Sequence, residues 1–70
     1  MAKKIKISLA AARVNANMTQ ADVAEILHIT PNTVVNWEKG RTSPTISQVQ
    51  ELCRMYKMPF DAIFVPEISK

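Results

Sequence analysis

The chain has 70 residues, 47% of them hydrophobic and 21% charged, and carries a net charge of +3 at pH 7. A chain of this length forms one small domain, which buries only about 60% of the surface that its unfolded form exposes. No stretch is long and apolar enough to span a bilayer, and the short Ile-Lys-Ile segment after Lys4 is unlike the apolar core of a signal peptide. We therefore expect a single cytoplasmic domain over residues 1–70 and no membrane association.

Residue types that carry chemistry are scarce, since the chain has one cysteine, one histidine and one glycine. A single cysteine, Cys53, excludes an internal disulfide and a multi-cysteine metal site. It shares a helical apolar face with Leu52 and Tyr56, which predicts a small buried hydrophobe rather than a redox sensor. The chain has no phosphate-binding glycine loop and no paired nucleophile and base. The sequence thus argues against an enzyme, and we expect no cofactor and no metal ion.

The first predicted helix runs from about Ser8 to Asn15, with Ser8 as its N-cap and an alanine-rich middle. Asn17 follows, and asparagine readily adopts the left-handed conformation that ends a helix. Residues 1–7 are expected to form a basic N-terminal arm, in which Lys4-Ile5-Lys6-Ile7 alternates as in a short strand. The lysines of this arm belong either to a basic face that would suit a phosphate backbone or to an ordinary solvated surface.

The second predicted helix runs from Gln20 to about Leu27. It begins with a capping box, because the Thr19 hydroxyl can accept from the backbone amide of Asp22 while the Asp22 carboxylate favours the positive end of the helix dipole. Apolar side chains then recur at i, i+1 and i+4 from Val23, which places them on one helical face.

The third predicted helix spans Pro31–Lys39 and is stopped by Gly40. Thr30 serves as its N-cap, and proline at the first helical position needs no partner for the amide that it lacks. Val34 and Trp37 recur at i and i+3 and form its apolar face.

A three-residue turn, His28-Ile29-Thr30, joins the second and third helices. Such a short connection makes the two helices cross steeply, with Ile29 turned inward. Ala24 then lies where the helices come closest, and a larger side chain there would push them apart.

A fourth helix is predicted from Ile46 to about Tyr56 or Lys57, and it begins with a capping box of Thr45 and Gln48.

The last predicted helix is short. It opens at Pro59, ends near Phe64 before Pro66, and is followed by a tail at residues 66–70. Five helices and no repeat or second domain predict an all-α fold.

The two helices around the turn resemble the helix-turn-helix of the phage repressor and Cro family, also called the xenobiotic-response-element class. The resemblance extends over roughly residues 8 to 65. The residues that carry it are Thr19, Gln20, Val23, Ala24, Leu27, Ile29, Val34, Trp37-Glu38-Lys39-Gly40 and Pro44. It implies a compact five-helix, lambda-repressor-like DNA-binding domain with the helix-turn-helix at residues 20–39.

One residue departs from the family pattern, because His28 occupies the elbow where the family usually has glycine. We expect a positive φ there, which histidine tolerates at a cost of about 1 kcal/mol. A metal site at His28 is not expected, since the chain has no second histidine.

Candidate base-reading residues lie on the third helix. With Val34 and Trp37 buried, the helical geometry turns Asn32, Thr33 and Asn36 outward. The resemblance implies that these positions read bases in the major groove. Asparagine can donate to and accept from adenine, and threonine can offer its hydroxyl or its methyl group. The alternative is that polar side chains simply face the solvent, as on any surface helix.

The resemblance also implies contacts with the DNA backbone. Gln20 matches a family glutamine that grips a phosphate and supports the reading helix. Lys39 and Arg41 flank the loop after that helix, and the loop adds the hydroxyls of Thr42 and Ser43.

Arg13 and Glu38 are predicted to form a structural ion pair. In the family, residues at these positions often join the first helix to the third, and a guanidinium can bind a carboxylate through two parallel hydrogen bonds.

We therefore expect a sequence-specific, repressor-like regulator that binds double-stranded DNA in the nucleoid. One such domain covers a half-site of about 4 to 6 base pairs, so we expect a homodimer on a palindromic operator. The residues expected to supply its dimer surface, some of them shared with the core, are Met55, Met58, Phe60, Ile63, Phe64, Val65 and Ile68.

The alternative function is a protein-binding module on the same fold, such as an antitoxin or a phage repressor modulator. Such a protein would form a stable heterocomplex and bind DNA weakly, without a preferred site.

Overall fold

The computed structural model describes residues 6–64 of the chain. In chain order, the elements of this range are β1 (Ile7–Ser8), α1 (Leu9–Asn15), α2 (Gln20–Leu27), α3 (Pro31–Lys39), α4 (Ile46–Tyr56), a 3-10 turn (Phe60–Ala62) and β2 (Ile63–Phe64). The predicted bounds of α2, α3 and α4 are confirmed. The expectations for residues 1–5 of the arm and for the tail at 66–70 lie outside the described residues.

Every α-helix in residues 6–64 begins at a hydroxyl side chain that accepts a hydrogen bond from the first turn. The Ser8 hydroxyl accepts from the amide of Ala11 in α1 at 3.0 Å, and the Thr30 hydroxyl accepts from the amide of Thr33 in α3 at 3.3 Å. The capping boxes Thr19–Asp22 and Thr45–Gln48 are complete in both directions. Because each such cap stabilises a helix by about 1 kcal/mol, these local contacts fix where the short helices begin.

The ends of the same four helices also share one geometry. A left-handed residue follows each helix, with φ of 60° at Asn17, 60° at His28, 78° at Gly40 and 57° at Lys57. The positive φ expected at His28 and the left-handed Asn17 are confirmed. Only one of the four is glycine, so three ends place a side chain in a conformation that costs about 1–2 kcal/mol.

Backbone hydrogen bonds close all four helix ends in the Schellman pattern. The amide of the residue after each left-handed position donates back to a carbonyl five residues earlier. These bonds are Met18 N to Arg13 O (3.2 Å), Ile29 N to Ala24 O (2.9 Å), Arg41 N to Asn36 O (2.9 Å) and Met58 N to Cys53 O (3.0 Å). Three of the donors, Met18, Ile29 and Met58, are apolar and pack against the core, whereas Arg41 is exposed. The end of α3 is therefore the exception.

The prediction of a fifth helix between Pro59 and Phe64 is wrong. The segment makes a single 3-10 turn, and Ile63 then adopts an extended backbone with φ −110° and ψ 132°. β2 pairs in parallel with β1, with Ile7 opposite Ile63 and Ser8 opposite Phe64. The β-branched and aromatic residues at the end favour this pairing, and Ile63 buries all but 4% of its surface. The described range thus holds four α-helices and a two-residue ladder instead of five helices.

The core forms where α1, α2, α3 and α4 meet. It consists of Leu9, Ala12, Val23, Ala24, Val34, Trp37, Val49, Leu52, Cys53, Tyr56 and Ile63. Ala24 is 2% exposed, in agreement with the need for a small residue at the crossing of α2 and α3. The expected burial of Cys53 is confirmed, and this burial raises the pKa of its thiol. The reactive thiolate is thereby disfavoured.

Replacing His28 by valine is expected to lower the free energy of unfolding by about 1–2 kcal/mol, because a β-branched side chain fits the left-handed region poorly. His28→Gly should be at least as stable as the wild type. Glu25→Val, at an exposed position inside α2, is the control and should change stability by about 0.5 kcal/mol or less. Urea unfolding measures all three. If His28→Val proved as stable as His28→Gly, the strain assigned to this turn would be contradicted.

Candidate functional site

The turn between α2 and α3 holds the two helices as one rigid unit. The amide of Ile29 donates to the carbonyl of Ala24 at 2.9 Å, and the amide of His28 donates to the carbonyl of Glu25 at 3.3 Å. The Ile29 side chain packs against the core, while His28 is exposed. Since the backbone of this turn is fixed by its own hydrogen bonds, α3 has a defined direction relative to α2.

The outer side of α3 presents the three predicted base readers. Val34 and Trp37 are 1% and 4% exposed, so they anchor the opposite side of this helix in the core. Asn32 is exposed and Asn36 is half-buried. Within residues 6–64, neither asparagine side chain makes a hydrogen bond, so both amides are free to bind a partner.

Thr33 is engaged differently from its two neighbours. Its hydroxyl lies 3.0 Å from that of Thr30, the N-cap of α3. The Thr33 side chain is half-buried, and its contact with the Thr30 hydroxyl restrains its orientation. The methyl group on the same carbon is left as the apolar part of this side chain.

The carboxylate of Glu38 lies at the centre of a polar cluster that joins three helices. The Arg13 Nε of α1 donates to Glu38 Oε2 at 2.7 Å, and a second guanidinium nitrogen lies 3.4 Å from Oε1. From α2, the Gln20 Nε2 donates to Glu38 Oε1 at 2.9 Å. The remaining guanidinium nitrogen of Arg13 donates to the carbonyl of Met18 at 2.9 Å. The structure thus contains the predicted Arg13–Glu38 ion pair, and it adds Gln20, to which the sequence analysis had assigned a separate role.

Burial makes this cluster electrostatically strong. The side chains of Arg13 and Glu38 are only 15% and 7% exposed. The hydrogen bond to Glu38 raises the pKa of Arg13, against the opposing effect of burial. Burial, together with the nearby charge of Glu38, raises the pKa of Tyr56 of α4 to about 12. Both shifts favour the forms in which Arg13 is charged and Tyr56 is neutral.

The hydrogen bond between Gln20 and Glu38 was missed by the sequence analysis. The two residues are 18 positions apart, and each had been given a different partner: a phosphate for Gln20 and Arg13 for Glu38. One signal was available, because both lie on helices that a three-residue turn holds together.

The loop after α3 is fastened to the end of that helix. The carbonyl of Asn36 accepts from the amides of Arg41 at 2.9 Å and Thr42 at 3.5 Å. The side chains of Lys39, Arg41 and Thr42 are exposed, and that of Ser43 is half-buried. The predicted backbone-contacting residues of this loop thus lie at the carboxyl end of α3.

The helix-turn-helix family model matches residues 9–63 of the chain, which includes the four α-helices of the described range and the turn between α2 and α3. The chain belongs to this Cro/C1-type helix-turn-helix family. No curated protein and no solved structure matches it. The family consists of DNA-binding regulators and is not typically enzymatic, so the helix-turn-helix implies binding to double-stranded DNA.

None of the helices between residues 6 and 64 has both the length and the apolar character needed to cross a membrane. In the same range, no three His, Cys, Asp or Glu side chains are grouped so that they could hold a metal ion.

Replacing Arg13 by Met is expected to lower the free energy of unfolding by roughly 3 kcal/mol, because Glu38 would become an unpaired and nearly buried charge. Adding Glu38→Met should recover most of this loss, since an apolar pair of similar volume needs no charged partner. The control is Arg54→Met, which breaks an exposed pair with Glu51 and should cost about 1 kcal/mol or less. Urea unfolding measures the free energy of unfolding of each variant. An Arg13→Met protein as stable as the wild type would show that the Arg13–Glu38 pair does not stabilise the fold.

Proposed function

We propose that this chain is a sequence-specific regulator that represses transcription by inserting α3 into the major groove of double-stranded DNA. The observation that carries the proposal is the contrast between the two sides of α3. Val34 and Trp37 fix one side in the core, while the amides of Asn32 and Asn36 on the other side have no partner within residues 6–64. A helix held this firmly can present donors and acceptors in a fixed pattern, as base readout requires.

The chemistry of the outward row suits adenine and thymine. An asparagine amide can donate to N7 of adenine and accept from its N6 amino group, and the Thr33 methyl can pack on the methyl group of thymine. Asn32, Thr33 and Asn36 span about 6 Å of helix, since each residue rises by about 1.5 Å. That distance corresponds to about two base-pair steps, so the row reads a short sequence.

Contacts with the DNA backbone would come from Gln20, Lys39, Arg41, Thr42 and Ser43. The position of Arg41 supports its part in this proposal. At the ends of the other three helices, the corresponding residue is apolar and packs on the core, whereas α3 exposes a guanidinium there. Its backbone amide is fastened to Asn36, so the charge stays beside the reading helix.

A homodimer on a palindromic operator is part of the proposal, because one short half-site cannot define a genomic address. Of the residues expected to supply the dimer surface, Ile63 is 4% exposed and is one that belongs to the core. Met55 and Met58 also pack against the core, which leaves Phe60, at 47% exposure, as the described candidate. Val65, Ile68 and the side chain of Phe64 lie outside the described part of the chain.

Replacing Asn36 by Ala is expected to cost about 1–3 kcal/mol of binding free energy on the preferred duplex and little on random-sequence duplex, because only base contacts discriminate. Gln50→Ala, which removes an exposed amide from α4, is the matched control and should change neither affinity. Titrations of both duplexes at one fixed salt concentration give the answer. An equal loss on both would contradict base readout and favour the protein-binding alternative.

Replacing Arg41 by Ala should weaken binding to both duplexes and reduce the dependence of log Kd on log salt concentration by about one, because the loss of one phosphate contact reduces the number of counterions released. The control is Arg54→Ala, which removes the same charge from an exposed pair with Glu51 on α4. If the two variants give the same salt dependence, only net charge matters and Arg41 touches no phosphate.

A further inference from the structure

We propose that Glu38 is a positioning residue for DNA binding: its buried carboxylate orients the side-chain amide of Gln20 toward a phosphate. This inference rests on the proposed function, and it adds the group that fixes the phosphate donor.

A hydrogen bond to Glu38 fixes the orientation of the Gln20 side-chain amide. Its Nε2 donates to Glu38 Oε1 at 2.9 Å, and the Glu38 side chain is only 7% exposed. A primary amide is planar and has two N–H groups. Once one N–H binds Glu38, the direction of the second is fixed as well. Gln20 is itself half-buried and is the first residue of α2, so this second N–H belongs to a side chain that reaches the surface.

The Glu38 carboxylate is itself held in place and cannot turn away from Gln20. Arg13 binds Glu38 Oε2 at 2.7 Å, and another of its nitrogens donates to the carbonyl of Met18 at 2.9 Å. The guanidinium is thus anchored to the backbone between α1 and α2. It also neutralises the carboxylate, so a phosphate that approaches Gln20 meets a pair without net charge instead of a repelling anion.

A donor that is already oriented in the free protein strengthens binding in a way that differs from a charged contact. Ordering a flexible side chain weakens binding, and an orientation fixed in the free protein avoids that loss. Glutamine carries no charge, so its contact with a phosphate releases no counterion. Loss of the oriented amide should therefore reduce affinity without changing the salt dependence, in contrast to the loss of Arg41.

The free protein supplies a direct test that needs no variant. In the proton–nitrogen-15 correlation NMR spectrum of the wild type, the hydrogen bond to the Glu38 carboxylate should shift one of the two Nε2 protons of Gln20 to low field. The exposed amide of Gln50 provides the reference signal. Adding a duplex that carries the preferred site should move the second Gln20 proton. Two Gln20 protons at the positions of the Gln50 protons would overturn the inference.

Binding measurements on variants provide a second, independent test. Gln20→Met leaves the Arg13–Glu38 pair intact and should weaken binding about 10-fold on preferred and random duplexes alike, with an unchanged salt dependence. The double variant Arg13→Met/Glu38→Met removes the orienting carboxylate and should cost about as much. Adding Gln20→Met to the double variant should then cost little more, because the two changes remove the same contact.

The outcomes separate the inference from the proposed function. Costs that multiply to about 100-fold in the triple variant would show that Gln20 acts without Glu38, and the positioning role would be wrong while DNA binding stands. If the double variant does not fold, two measurements still test the inference. One is the effect of Gln20→Met on DNA affinity and on its salt dependence, and the other is the wild-type NMR spectrum. A wild type that binds no duplex at any salt concentration would instead refute the proposed function, and the inference with it.

Discussion

The arrangement of this domain depends on one nearly buried carboxylate. Glu38, at the end of α3, accepts hydrogen bonds from Arg13 of α1 and from Gln20 of α2. Its negative charge also contributes to the raised pKa of Tyr56 of α4. Apolar burial supplies most of the driving force for folding, but it is not directional. A carboxylate that loses much of its hydration must keep its partners, so the cluster selects one arrangement of the helices among those that would bury the same apolar area.

This cluster and the turn before α3 hold that helix rigidly in place. Glu38 fixes one end of α3, and the hydrogen bond from Ile29 to Ala24 fixes the approach to the other. The exposed side of α3 then carries amides that bind nothing within the described residues. This geometry includes backbone strain at His28, which adopts the left-handed conformation that glycine adopts more easily.

The sequence predicted well what is determined locally. The starts of α2, α3 and α4 followed from Thr19, Thr30 and Thr45, because a cap acts within three residues of itself. The β1–β2 ladder was missed, since Ile63 pairs with Ile7 near the other end of the described range and no local pattern encodes that contact. For the same reason the site was foreseen only in part: outward positions on α3 follow from helical geometry, whereas the link between Gln20 and Glu38 depends on how the helices pack.

The most direct test of this account is selection of binding sites from a pool of random-sequence duplexes, with the mass of the bound species measured. A rigid α3 that reads bases predicts an enriched, inverted pair of short half-sites, about one helical turn or a whole number of turns apart, bound by two copies of the chain. Recovery of bound duplexes that share no sequence would contradict it, because the outward row of α3 would then discriminate no bases.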